Sequence, residues 1–134
     1  MPSVADHATS AAPPEEVWKL LYDPSRFPEW WAGMERVELG LDGDFTYWYE
    51  GWPDFAMPQR LATQREGGRV TISCLVSFMD IEWQLSEDGD GTRIDVRAAI
   101  PEEEAGRVEQ VRDQLAASVR RLAAVATGEL PARG

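Results

Sequence analysis

Side chains able to move protons or hold a metal are sparse in this chain. It has one histidine, His7, and one cysteine, Cys74, too few for a Cys/His zinc site, and its carboxylates stand singly along the strands instead of clustering as ligands. No metal and no cofactor is expected. A Ser-His-Asp or Cys-His arrangement cannot be assigned, with His7 the sole imidazole base, and there is no Gly-rich phosphate loop. The groups left for proton chemistry are Asp6, Tyr47, Tyr49 and Arg60. A carboxyl group in apolar surroundings has a raised pKa and works as a general acid or base, and an arginine turned inward meets a carboxylate or enolate. Cys74 reads as a small wall residue, because reactivity needs an electropositive setting that the sequence does not supply, and a lone cysteine excludes an intramolecular disulfide.

The second chemical feature is aromatic. Six tryptophans occur among 134 residues, and that mass must be buried against itself or against a ligand. With 43% hydrophobic and 28% charged residues the composition is that of one globular domain. No apolar run approaches the ~20 residues of a membrane helix. The formal charge of −11 repels the phosphates that dominate nucleic-acid affinity, so nucleic acid and anionic membrane surfaces are unlike partners. The first dozen residues lack a basic region followed by an apolar one, so a cytoplasmic location is expected. Of the 13 basic residues only Lys19 is a lysine, and asparagine is absent, a bias of GC-rich bacterial codon usage. Monomer and homodimer are equally open.

The elements that must position these groups follow from period and punctuation. Residues 3–11 form a weak first strand ended by Pro13-Pro14, and Pro14 opens a helix with Glu15 and Glu16 at its positive end and Val17, Trp18, Leu20 and Leu21 as its apolar face. A second helical turn, Ser25 to Trp31, takes Ser25 as N-cap. Beyond Gly33 the period changes to two: strands at Val37–Leu41, Phe45–Tyr49, Leu61–Arg65, Val70–Val76, Ile81–Leu85 and Thr92–Ala98 are separated by turn residues. Val70, Ile72, Cys74 and Val76 share one face, and the phase flips before Ile81, so 77–80 must turn tightly without Gly or Pro. After Pro101, the apolar positions Val108, Val111, Leu115, Val119, Leu122 and Ala126 recur at threes and fours, which predicts one amphipathic helix of about 25 residues and about 37 Å. The domain spans 1–128, with a short tail at 129–134. This is an α+β layout, a sheet with one helix laid across it.

The run Ala12-Pro13-Pro14-Glu15-Glu16-Val17-Trp18-Lys19-Leu20-Leu21, then Asp23-Pro24-Ser25-Arg26-Phe27-Pro28-Glu29-Trp30-Trp31, the hairpin Asp88–Arg93 and the terminal helix together resemble the START-like (SRPBCC) helix-grip superfamily, nearest its polyketide cyclase/dehydrase and lipid-transport branch. The resemblance implies a curved seven-stranded antiparallel sheet wrapped around the C-terminal helix, two short helices between strands 1 and 2, and an apolar cavity between sheet and helix. It implies no particular reaction, since such folds host carriers, receptors and enzymes. By register with related first strands, Asp6, Ala8 and Ser10 point inward and His7 and Thr9 outward. Trp31, Tyr47, Trp48, Trp52, Phe55, Met57, Cys74, Phe78 and Trp83 are the candidate ligand-binding residues. Tyr47 and Trp48 have opposite parity, so a regular strand turns only one of them inward. Trp52, Phe55 and Met57 lie in a Pro/Gly-rich loop suited to gate the cavity, and Trp18 and Trp30 read as core.

The function this implies is binding of a hydrophobic, aromatic or polyketide-like molecule, with cyclisation or dehydration of a poly-β-keto chain as the chemistry if there is any. The alternatives are a lipid or quinone carrier and a protein-interaction domain with a filled cavity. Convergent polar groups in the cavity favour the first, an all-apolar cavity the second, and a filled core with an exposed apolar patch the third.

Overall fold

The computed structural model describes residues 2–128, so the tail expected at 129–134 lies outside the described residues. Within them, β1 (Ser3–Ser10), β2 (Met34–Leu39), β3 (Asp44–Tyr49), β4 (Met57–Gln64), β5 (Arg69–Cys74), β6 (Asp80–Asp88) and β7 (Gly91–Ala99) form one antiparallel sheet in the order β1-β7-β6-β5-β4-β3-β2. Strands β2 to β7 follow one another as hairpins, and β1 returns to pair with β7, Ser3 opposite Ala99 and Ser10 opposite Thr92. The α+β helix-grip layout is as expected: α1 (Pro14–Leu21) and a 3₁₀ turn (Pro24–Glu29) join β1 to β2, and α2 (Val108–Val125) crosses the concave face.

The connection from β1 to β2 is built by caps and one indole. Pro14 occupies the first turn of α1, whose Val17, Leu20 and Leu21 are buried. Asp23, not Ser25, caps the 3₁₀ turn: its Oδ1 accepts from the Ser25 backbone N–H at 3.0 Å and from the Ser25 hydroxyl at 2.7 Å. The carboxylate lies two residues before the first free N–H and so reaches it as an Asx turn does, while Ser25 spends its hydroxyl on Asp23. Trp30 donates its Nε1 hydrogen to the Leu20 carbonyl at 3.1 Å, which ties the turn to α1.

Several strand boundaries differ from expectation. β2 runs Met34–Leu39 instead of Val37–Leu41, which leaves Leu41 exposed in the turn, and β6 extends past Leu85 to Asp88. β4 starts at Met57 instead of Leu61, with Pro58 opposite Thr46. Proline is tolerated there because it stands at the start of β4, opposite Leu75 just past the end of β5, and its carbonyl accepts from Leu75 N at 3.0 Å. β5 ends at Cys74, and Val76 is 47% exposed instead of sharing the inner face. The Cys74 N–H bonds to the Met79 carbonyl and the Phe78 N–H to the Cys74 carbonyl, so 75–78 loop out, and Phe78 adopts φ +60° to turn the chain. A left-handed phenylalanine supplies the reversal that glycine usually provides.

The last helix is also shorter than its sequence pattern. Glu102–Arg107 winds as a 3₁₀ segment before the 18-residue α2, which is about 27 Å long. In a 3₁₀ turn residues three apart eclipse, and Glu104 and Arg107 use that spacing for an ion pair at 3.5 Å. The stripe Val111, Leu115, Val119 and Leu122 is buried as read, together with the polar Ser118. At the far end, the Ser10 hydroxyl donates to the Ala123 carbonyl at 2.7 Å, one of the carbonyls a helix end leaves without an intrahelical partner. Thr92 donates its hydroxyl to the Ala12 carbonyl at 2.8 Å.

Gly91, buried beside this clasp, has no room for a side chain, because a Cβ there would fall on the Ser10 carbonyl. Gly91→Ala should therefore lower unfolding free energy by about 3 kcal/mol, as overpacking against backbone does. Gly106→Ala, with nothing within 4 Å of the added carbon, should be neutral or slightly stabilising. Chemical denaturation of the two variants beside the wild type measures the difference.

Candidate functional site

At the end of the sheet where β3 and β5 finish and β4 and β6 begin, the inner face and α2 diverge around a small cavity. Phe45, Tyr47 and Tyr49 from β3, Met57 and Gln59 from β4, and Ile72 and Cys74 from β5 form its wall, with Ile81 from β6. Trp31 and Met34 close one side, Ser77 and Met79 the loop side, and Arg107, Val111 and Gln114 the helix side. The free space is about 20 Å³, room for about one water.

A chain of polar groups crosses this apolar wall. The Tyr47 hydroxyl donates to Tyr49 Oη at 2.9 Å, and Gln114 Nε2 donates to Tyr49 Oη at 3.1 Å and to the Ala32 carbonyl at 3.1 Å. One turn on, Ser118 Oγ accepts from the Ala32 N–H at 2.9 Å and donates to the Gln114 carbonyl at 2.7 Å. Two side chains of α2 thus hold both backbone groups of Ala32 and with it the neighbouring Trp31. Burial, reinforced by Tyr49, pushes the Tyr47 pKa well above its ordinary value, with the Arg107 charge opposing. The phenol is a hydrogen-bond donor at neutral pH and no base. At Cys74 burial acts to raise the thiol pKa, but hydrogen bonds from Ser77, Val76 and Gln59 outweigh it and hold the thiol below its ordinary value. The Ser77 N–H donates to Sγ at 3.4 Å.

The residues singled out in the sequence divide by position. Trp31, Tyr47, Tyr49, Met57 and Cys74 come together on the cavity wall. Trp83 is fully buried behind Trp31, their rings edge to face with centroids 5.6 Å apart, and it meets Trp30 in the same manner at 5.1 Å. Strand parity turns Trp48 to the outer face, where the Arg36 guanidinium lies over its ring at 3.9 Å. Arg60 is likewise outward, paired with Asp44 at 3.4 Å. Trp52, Phe55 and Phe78 stand exposed on the two loops beside the cavity, at 66%, 56% and 73%. Asp6 is half-buried on the inner side of β1 but outside the cavity wall, accepting from the His7 N–H at 2.7 Å, and His7 is exposed. Gln59, Ser77, Met79, Arg107 and Gln114 line the cavity without having been singled out. For Gln114 a signal exists: with Ser118 it makes two polar positions, one turn apart, within the buried stripe of α2.

The wall is mostly aromatic and aliphatic with two phenols set into it, and the space it encloses has room for about one water. Among the described residues no group of three or more His, Cys, Asp or Glu could hold a metal ion, and no helix is long and apolar enough to cross a membrane.

Comparison with known proteins agrees with this geometry. A family model described as polyketide cyclase/dehydrase and lipid transport matches residues 1–127. No curated protein matches the chain in sequence. Among solved structures, XoxI from Bacillus cereus is similar with a TM-score of 0.79 at 15% identity, covering 95% of this chain and 96% of its own. StfQ, a di-domain ARO/CYC from the steffimycin biosynthetic pathway, is similar with a TM-score of 0.77 at 19% identity over 92% of this chain and 44% of StfQ. BexL, the di-domain ARO/CYC from the BE-7585A biosynthetic pathway, gives 0.76 at 14% identity over 92% of this chain and 45% of BexL. At these identities the likeness is one of fold.

The raised Tyr47 pKa carries a sign. The folded protein keeps this phenol neutral while the unfolded chain ionises near the usual value of about 10, so its contribution is full below that pH and is lost as pH climbs above it. Between about pH 9 and pH 11 the wild type should lose about 1.4 kcal/mol more stability than Tyr47→Phe, measured by denaturant unfolding at each pH. Equal losses would place the ionisation elsewhere.

Proposed function

The chain belongs to the polyketide cyclase/dehydrase and lipid-transport family, and from that premise we propose that it binds an aromatic or polyketide-like small molecule in the chamber between β3–β6 and α2. A carbonyl or enol oxygen of the ligand lies against the Tyr47–Tyr49 hydroxyl pair. The observation that carries this reading is the hydroxyl and amide chain Tyr47–Tyr49–Gln114 set into a wall that is mostly aromatic and aliphatic. A pure carrier of hydrocarbon needs no such donors, and burying them is costly unless they are paired.

With a poly-β-keto chain bound, the chamber's shape folds it for ring closure, and the donors stabilise the carbonyl oxygen that gains charge as an enol carbon of the chain attacks its carbon, the enol O–H proton ending on that oxygen as the C–C bond forms. This is the cyclisation or dehydration reading, and Tyr47 serves in it as donor by turning its single O–H from Tyr49 to the ligand oxygen. Entry requires the wall to move, because about 20 Å³ admits no organic molecule. The wall is suited to that: Met57 and Met79 are unbranched and repack easily, and the flanking loops carry exposed Trp52, Phe55 and Phe78 as a first apolar contact.

The small free volume and the same exposed aromatics favour a second reading, a protein-interaction domain whose chamber stays shut. Titration with a hydroxyanthraquinone, followed by tryptophan emission, separates the two. The first expects saturable quenching in the micromolar range, weakened about tenfold in Tyr47→Phe, the value of one lost hydrogen bond. Absence of saturable quenching in the wild type favours the second.

A further inference from the structure

We infer that the binding site extends past Trp31 to Trp83, and that the indole N–H of Trp83 takes a ketone-type oxygen at the leading end of the ligand. This rests on the chamber being a ligand site, and it names the chemistry of the ligand's buried end.

The starting observation is an orphan donor. Trp83 is fully buried, and its Nε1 is the one buried side-chain nitrogen or oxygen among the described residues without a hydrogen-bond partner. Buried donors are nearly always satisfied, and the same aromatic cluster shows how: Trp30, equally buried, donates to the Leu20 carbonyl. Phenylalanine at 83 would fill much of the same space without a donor to satisfy.

Its surroundings say what partner it awaits. Trp83 is the next inward residue after Ile81 on β6 and lies opposite Val70, one inward step from Ile72 on β5. Ile81 and Ile72 both line the chamber. Trp31 also lines it and meets Trp83 edge to face, so a single indole separates the chamber from the Trp83 ring. Any organic ligand must displace wall, and Trp31 is the largest side chain in it. Swung aside, it leaves a slot the size of an indole against Trp83, whose neighbours across strands and rings are Val70, Val96 and Trp30.

Such an end selects for an acceptor that brings no hydrogen of its own. A ketone or quinone oxygen satisfies Nε1 fully, whereas a hydroxyl would carry its proton into a place with nothing to receive it. With Tyr47 donating near the chamber's outer part, the fitting ligand has two oxygens along a flat apolar body, the inner one a carbonyl.

Fluorenone and fluorene test this, since they share a planar outline and differ in one carbonyl. With ¹⁵N-labelled protein, the Trp83 indole resonance is assigned by nuclear Overhauser contacts to the rings of Trp30 and Trp31 and checked by its loss in Trp83→Phe. Fluorenone should move that resonance downfield and fluorene should not. Fluorenone should also bind about tenfold tighter, and Trp83→Phe should erase that preference while leaving fluorene's affinity within about twofold. The resonance in the wild type decides the matter even if Trp83→Phe does not fold. If both probes bind equally and the resonance stays still, the assignment of Trp83 is overturned while the chamber remains a binding site. If neither binds, the chamber reading falls and this inference with it.

Discussion

A straight helix cannot lie flush on a curved sheet, and the wedge left between them has to be filled or held open. In this protein most of it is filled by rings. Phe27 from the 3₁₀ turn, with Trp30 and Trp31 just beyond it, packs edge to face with Phe45 and Trp83 from the sheet. This block fixes the separation of helix and sheet over the inner half of the wedge, and the chamber is what remains at the outer end. Everything proposed about binding depends on where the aromatic block stops, and it stops at Trp31.

Trp31 is placed by backbone as much as by packing. Its neighbour Ala32 is gripped through both peptide groups by Gln114 and Ser118, so the polar positions in the buried stripe of α2 set the inner wall of the chamber. Gln114 also meets Tyr49, and through it Tyr47. A single run of hydrogen bonds therefore links the position of α2, the indole partition and the two phenols. Such networks stabilise only when every member is satisfied, which couples the chamber's hydroxyls to the seating of the helix.

Much of this was legible in the sequence, for identifiable reasons. Alternation at Val70–Ile72–Cys74 and Ile94–Val96 marks strands with one buried face, and the Pro14-Glu15-Glu16 opening marks α1. Parity alone indicates that Tyr47 and Trp48 face opposite ways, but which of them faces in is decided by pairing with β4. Three features left no readable trace. Phe78 turns the chain with a positive φ that its residue type does not advertise. The first turns of the last helix tighten to 3₁₀ through an ion pair at a spacing common to both helix types. Arg107 reads as a solvated helix position, and only the three-dimensional seating of the last helical segment turns it toward the sheet.

The pairing of β1 with β7 has a consequence for how the molecule comes into being. β1 has its whole sheet partner only when residue 99 has been made, and the Ser10 hydroxyl reaches its acceptor across 113 residues, at Ala123. Until then α1 and the tryptophans after it have neither a completed sheet nor a helix to bury against. Long-range closure of this kind is slow and exposes apolar surface while it waits. The acidic surface, at −11 overall, then serves the nascent chain as well as the finished one, because like charge keeps half-made copies from meeting.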